Sequence, residues 1–94
     1  MKSIVEEIKH LTSIPALSGI EDQMIKEMSE RFKPLADEIE IDRIGNVIAK
    51  FVGRDNSTPS MLVFAHMDEI GLMVRKIDKN GFIRFDRIGG MPEK

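Results

Sequence analysis

A histidine and an aspartate two residues apart are the main candidates for chemistry in this 94-residue chain. His66 and Asp68 lie in the segment AHMDEIG at residues 65–71. On an extended backbone, side chains two residues apart point to the same side, so these two can converge. A carboxylate that accepts one imidazole N–H fixes the tautomer and leaves the other nitrogen free for a metal ion. A hydrogen-bonded structural histidine gives the same pattern, and spacing alone leaves both interpretations open.

The residues just before His66 are an unbroken apolar run, MLVFA at residues 61–65. A short apolar run bounded by turn signals predicts a strand buried on both faces, in the middle of a sheet covered by helices. Proteins of the α/β class usually place their sites at the C-terminal ends of such strands. We therefore expect His66 at a strand end, with Gly71 allowing the backbone to leave the site.

Other hydrolytic chemistries fit the sequence poorly. A glycosidase needs two carboxylates that face each other across a sugar, roughly 5–10 Å apart. Asp68 and Glu69 are sequence neighbours, so on an extended backbone their side chains diverge. The acids at 38, 40 and 42 share a face, but their strand is predicted to be a solvated edge without an aromatic sugar platform. Glycoside hydrolysis is therefore disfavoured, and no serine-nucleophile, phosphate-loop or dinucleotide motif is present.

The elements that position these residues begin with two predicted amphipathic helices. Predicted capping boxes pair Ser3 with Glu6 and Ser18 with Glu21, and Pro34 should end the second helix. Apolar residues at helical spacing form the stripe that should face the core of the second helix. These are Met24, Ile25, Met28 and Phe32.

From residue 38 the hydrophobic period changes to two, which predicts strands. A hairpin is expected around the Gly45-Asn46 turn, and a second around residues 79–81, joining residues 72–77 to 82–88. Helices, hairpins and a buried central strand together predict the α/β class.

Composition excludes several classes of function. The net charge of −2 and the absence of Tyr and Trp argue against nucleic-acid binding. No apolar run approaches the roughly 20 residues of a membrane span, and the acidic N-terminus does not resemble a signal peptide. The absence of cysteine rules out disulfides and thiolate metal sites. We expect a cytoplasmic protein with neither a nucleic-acid nor a membrane partner.

Several segments, in order along the whole chain, resemble the M42 family of dinuclear metallo-aminopeptidases. They are IPALSG at residues 14–19, DRIGNVIA at 42–49, AHMDEIGLMV at 65–74 and IGG at 88–90. The family includes glutamyl and deblocking aminopeptidases, and some members have carried the name endoglucanase. The resemblance implies that residues 1–71 are the N-terminal part of an α/β/α catalytic domain. It also implies that residues 72–94 are a hairpin at the start of an inserted β-rich domain.

The resemblance also implies roles for individual residues. His66 matches the first ligand of a site for two divalent metal ions, zinc or cobalt. Asp68 matches the catalytic-site carboxylate that orients this histidine without binding metal, and Glu69 is expected to have a structural role. The implied substrate is the N-terminus of a peptide, and the family resemblance also implies a homo-oligomer.

Most of the residues that the family site needs have no counterpart in this chain. A dinuclear site needs a bridging carboxylate, further ligands and a glutamate to activate water, and in the family these follow the inserted domain. The other histidine, His10, is expected on the solvated side of the first helix. We therefore expect residues 1–94 alone to bind metal weakly and to lack peptidase activity. The alternative is a non-catalytic truncated homologue that self-associates through the hairpin at 72–88 or a sheet edge at 38–52.

Overall fold

The computed structural model describes residues 2–92 and contains two helices and two small antiparallel sheets. In chain order the elements are α1 (Ile4–Ser13), α2 (Asp22–Phe32), β1 (Glu38–Ile41), β2 (Val47–Lys50), β3 (Gly71–Ile77) and β4 (Ile83–Ile88). The mixed α/β class is therefore confirmed. The molecule is elongated, since its radius of gyration is 18.2 Å against about 12 Å for a compact domain of this length.

Helix α1 begins with the predicted capping box. The Glu6 N–H donates to the Ser3 hydroxyl at 3.2 Å, and the Ser3 N–H donates to the Glu6 carboxylate at 2.7 Å. Two backbone donors that a helix start leaves unpaired are thus satisfied reciprocally. The helix ends where the backbone becomes extended at Ile14, just before Pro15.

Helix α2 starts differently from the prediction. Its N-cap is Glu21, which makes no side-chain cap bond, so the capping box expected between Ser18 and Glu21 is wrong. The Glu21 carboxylate instead accepts the N–H of Gly19 at 2.6 Å. Of the predicted apolar stripe, Met24 is buried, and the ring of Phe32 meets that of Phe51 edge-on at 6.4 Å.

A polar cluster joins the two helices. The Arg31 guanidinium donates to Glu7 of α1 and, at 2.6 Å, to Glu27 of its own helix. His10 Nε2 lies 2.9 Å from the same Glu27 oxygen, and its side chain, on the polar side of α1, remains 40% exposed. Arg31 holds the pKa of Glu7 below its usual value, and Arg31 followed by His10 does the same for the pKa of Glu27. A glutamate whose pKa is lowered on folding stabilises the folded state at pH values above the ordinary pKa of glutamate. This stabilisation is lost as the pH falls through the lowered pKa.

Both hairpins form where the sequence predicts them. β1 pairs antiparallel with β2, setting Ile39 opposite Ala49. β3 pairs antiparallel with β4, with a register shift between Val74 and Lys76. In the two turns an aspartate carboxylate, of Asp42 or Asp78, accepts backbone N–H groups two and four residues further on. The same local chemistry therefore closes both hairpins.

The central strand predicted at residues 61–65 is the clearest error. These residues form no strand, and the side chains of Met61, Leu62, Val63 and Phe64 are 83–88% exposed. A strand buried on both faces needs a neighbour at each edge and helices above and below. Within residues 2–92 both sheets consist of local hairpins, and neither provides an edge to this segment.

The two hairpin turns offer a matched test of turn strain. Gly45 and Gly81 have φ of +93° and +83°, and only at Gly45 would a Cβ collide with a neighbour, Ile25 Cδ1 at 2.9 Å. We expect Gly81→Ala to cost about 1–2 kcal/mol from backbone strain alone. Gly45→Ala should cost up to about 1 kcal/mol more, because the end of the half-buried Ile25 side chain must shift. Urea unfolding followed by circular dichroism measures both, and equal losses would contradict the packing of α2 on this turn.

Candidate metal-ligand site

The candidate site begins with the contact that the spacing predicts. His66 Nδ1 lies 3.0 Å from Asp68 Oδ1 and 3.0 Å from the Asp68 carbonyl oxygen. Because both oxygens can only accept, Nδ1 carries the hydrogen and donates it. In the neutral ring Nε2 is then left with its lone pair. The expected convergence of His66 and Asp68 is therefore observed, although the segment before them is not a strand.

The pKa of the Asp68 carboxyl lies below its usual value. The nearby side chain of Ser18, in the loop between the helices, lowers this pKa most, and the bond to His66 comes second. The carboxylate is thus kept in its charged form, which accepts the hydrogen bond from His66 Nδ1.

Glu69 ties the same loop to the backbone beyond the site. The Glu69 N–H donates to the carbonyl of Ala16 at 2.8 Å, and the Ala16 N–H donates to Glu69 Oε1 at 3.2 Å. Ala16 is only 1% exposed, the lower of the two values for buried apolar residues in the described chain. These bonds agree with the structural role expected for Glu69. They also show that Asp68 and Glu69 turn toward different partners.

Gly71 allows a close approach of the loop. A Cβ at this position would lie 2.5 Å from Leu17 Cδ1. Leu17 also forms a parallel bridge with Glu69. The absence of a side chain at Gly71 thus lets Leu17 pack beside the chain as β3 begins.

The site is open to solvent, and it contains one side chain suited to bind a metal ion, that of His66. The His66 side chain is 86% exposed and that of Asp68 is 39% exposed. A hydrogen-bonded Nδ1 with a free Nε2 is the usual arrangement of a zinc-binding histidine. Among residues 2–92, however, no group of three or more His, Cys, Asp or Glu side chains could hold a metal ion. The described residues therefore bring together one imidazole and one carboxylate. His10 takes no part, since it is bound to Glu27.

No helix among the described residues is long and apolar enough to span a membrane.

Comparison with known proteins gives a consistent result. The family model of M42 glutamyl aminopeptidase matches residues 45–94. The chain is 47% identical over 90 residues to a lysyl aminopeptidase of Pyrococcus furiosus, covering 94% of this chain and 25% of that protein. It is 32% identical over 87 residues to a glutamyl aminopeptidase of Lactococcus lactis subsp. cremoris, covering 93% and 24%.

Solved structures agree with these relatives. A structure described as the dodecamer of PhTET1-12s matches with a TM-score of 0.78 and 35% identity, over 97% of this chain and 27% of that one. A Thermotoga maritima structure named endoglucanase matches with a TM-score of 0.76 and 40% identity, over 88% and 26%. The chain thus spans about a quarter of the length of the curated relatives that it matches.

The contact between Glu69 and Ala16 can be tested with a pair of variants. Glu69→Ala removes the acceptor of the N–H of buried Ala16 from a partly buried bond, which should cost about 1–3 kcal/mol of folding free energy. Glu69→Gln keeps an amide oxygen at the same place and should cost much less. Hydrogen exchange of the Ala16 amide, with urea unfolding, reports both effects. Faster Ala16 exchange in Glu69→Gln than in Glu69→Ala would contradict the assigned bond.

Proposed function

The chain belongs to the M42 glutamyl aminopeptidase family, and from this we propose that it supplies the first metal ligand of an enzyme that removes N-terminal residues from peptides. The observation that carries the proposal is the orientation of His66. Its Nδ1 is held by Asp68 at 3.0 Å, and Nε2 lies on a ring that is 86% exposed. A ligand nitrogen is therefore presented to solvent with its tautomer already chosen.

In this proposal His66 would hold one of two divalent ions, zinc or cobalt, through Nε2. Metal ions in such sites activate water and polarise the carbonyl that is cleaved. Asp68 accepts the hydrogen bond from His66 Nδ1, which raises the basicity of Nε2 and keeps the ring in one orientation. Glu69 holds the segment that follows His66 against the loop at Ala16. Residues beyond this chain would complete the site.

The domain boundary also belongs to the proposal. Residues 1–71 would be part of the catalytic α/β domain, and residues 72–94 would begin the inserted β-rich domain. The start of β3 at Gly71 supports this division, and the last two residues of the hairpin unit, 93 and 94, lie outside the described part of the chain. One structural relative is described as a dodecamer, which supports a homo-oligomer for the complete protein.

Peptide hydrolysis is preferred over glycoside hydrolysis, although one structural relative carries the name endoglucanase. The adjacent acids of the motif are engaged separately. Asp68 faces His66, whereas Glu69 faces the Ala16 amide. A glycosidase needs a pair of carboxylates opposed across a sugar, and these two do not form one.

The second candidate is a non-catalytic module that associates with copies of itself. The favouring observation is the apolar run at 61–64, whose side chains are 83–88% exposed. A contiguous exposed apolar segment commonly marks an interaction surface. The predicted edges at 38–52 and 72–88 also carry exposed apolar side chains, among them Ile48, Val74 and Phe85. Both candidates can be tested separately.

The enzymatic proposal is tested in the full-length protein in which this sequence is the N-terminal part. After chelation, added zinc or cobalt should restore release of N-terminal residues from peptides. His66→Ala should lower the restored kcat/KM by at least about 100-fold, since losing a ligand exceeds the usual effect of losing its orienting partner. The matched control His10→Ala should stay within a few-fold of the parent. Equal activity of the two histidine variants would refute the assignment of His66, and no hydrolysis with metal would refute the proposed activity.

Self-association is tested on residues 1–94 by sedimentation equilibrium. We expect concentration-dependent oligomers that Leu62→Glu weakens by about 10-fold or more, because burial of a leucine contributes roughly 1.5–3 kcal/mol. Thr58→Glu adds the same charge at an exposed polar position nearby and should have little effect. A monomer at all concentrations would contradict the module hypothesis.

A further inference from the structure

The hairpin formed by β3 and β4 is basic, although the chain as a whole is acidic. Residues 71–88 contain five Lys or Arg side chains and two Asp, whereas the whole chain has a net charge of −2. Lys76 and Arg84 lie directly opposite each other in the antiparallel register. Both are exposed, and neither forms a salt bridge within the described part of the chain. Like charges opposite each other destabilise a strand pair, and nothing among residues 2–92 offsets this pair.

The irregularity of the hairpin falls at the same place. The pairing register shifts after Val74, so that Arg75 is the extra residue of β3. A bulge of this kind redirects side chains, and the Arg75 guanidinium reaches the Asp86 carboxylate at 3.4 Å. Arg75, Lys76 and Arg84 line one open depression on the hairpin surface. We call these three residues the cationic face. A local pairing rule that is broken without compensation often marks a functional surface.

An acidic pair with the complementary charge lies on β1. Glu38 and Glu40 are two residues apart on the strand, so their side chains point to the same side. Both are exposed. Glu40 lies opposite the apolar Ile48 and forms no salt bridge in the described part of the chain. Glu38 meets Lys50 at 3.4 Å, but exposed ion pairs of this kind are weak. The acidic pair is therefore available to an outside cation.

The spacing of the two surfaces is compatible with a direct contact. The Cβ atoms of opposed residues in an antiparallel sheet lie about 4.5–5.5 Å apart. Residues two apart on one strand lie about 7 Å apart. The long side chains on both surfaces span this small difference. A guanidinium binds a carboxylate through two parallel N–H groups, so Arg84 suits one glutamate, and Lys76 suits the other as a point charge.

We propose that the cationic face of the hairpin docks onto the acidic pair, Glu38 and Glu40, of a second copy of this chain. A second copy is favoured as the occupant because the chain itself carries both surfaces. Within one copy they lie on separate sheets, and no salt bridge of the described residues joins them. Docking places carboxylates between Lys76 and Arg84 and so removes their repulsion.

This contact rests on the module hypothesis in requiring self-association, and it adds a charged interface to the apolar run at 61–64. No metal ion or peptide takes part in it, so it is independent of the enzymatic proposal. The two interfaces respond differently to salt, because screening weakens contacts between exposed charges and leaves apolar contacts in place.

Sedimentation equilibrium of residues 1–94 at two salt concentrations is the first test. Raising NaCl from about 0.01 M to about 1 M shortens the range of exposed charges from about 30 Å to about 3 Å. We expect the association constant to fall by about 10-fold or more. Association that does not weaken with salt would overturn the charged interface and leave the module hypothesis standing. A monomer at all concentrations would overturn both.

Charge reversal identifies the two surfaces. The hairpin variant combines Lys76→Glu with Arg84→Glu, and the strand variant combines Glu38→Lys with Glu40→Lys. Each variant opposes like charges at the contact, so we expect its association constant at low salt to fall by about 10-fold or more. A variant with all four substitutions opposes unlike charges again and keeps the net charge of the parent. It should associate within a few-fold of the parent, and failure to recover would overturn the proposal.

A control separates the surfaces from net charge. Lys9→Glu with Arg54→Glu changes the net charge by the same amount as the hairpin variant, at exposed positions outside both surfaces. This control should associate within a few-fold of the parent. A loss as large as that of the hairpin variant would show that net charge governs association, and it would overturn the assignment of the cationic face.

Discussion

The reciprocal hydrogen bonds between Ala16 and Glu69 are the constraint on which the site depends. They join a loop near the start of the chain to the residues that follow His66, at 2.8 and 3.2 Å. Closing a loop of this length costs conformational entropy that grows only slowly with length, so a few well-made contacts can hold it. The burial of Ala16, which is 1% exposed, strengthens those contacts, because a buried amide left unpaired is costly. The bridge between Leu17 and Glu69 and the close approach of Leu17 to Gly71 belong to the same junction.

The site that results pairs one imidazole with one carboxylate. The bond from His66 Nδ1 to Asp68 sets the tautomer and the direction of the ring. The surroundings remain open, because the apolar run at 61–64 has no neighbouring strand among the described residues. A single histidine binds divalent metals weakly, since stable zinc sites use three or four protein ligands. The described residues therefore orient the His66 ring, but they do not provide the three or four ligands of a stable site.

Local patterns predicted most of the secondary structure. The capping box at Ser3 and both hairpin turns arise from contacts within five residues, and sequence rules describe such contacts well. The same rules missed contacts that the local pattern does not specify. Ser18 looks like a helix cap, but the N-cap of α2 is Glu21, whose carboxylate accepts the Gly19 N–H. The contact of His10 with Glu27 of the second helix was likewise not indicated by the sequence. The run at 61–65 has the composition of a buried strand, yet burial depends on neighbours that no local pattern specifies. His66 and Asp68 were found because their contact is itself local.

The central claim is that His66 offers Nε2, and not Nδ1, to a metal ion while Asp68 keeps the other nitrogen occupied. Titration of zinc into residues 1–94, followed by the ¹⁵N signals of both histidine rings, tests it directly. We predict that the His66 Nε2 signal changes first, that His66 Nδ1 retains its hydrogen, and that the His10 signals stay unchanged. Coordination through His66 Nδ1, or changes in the His10 signals at lower zinc concentration than those of His66, would contradict the claim.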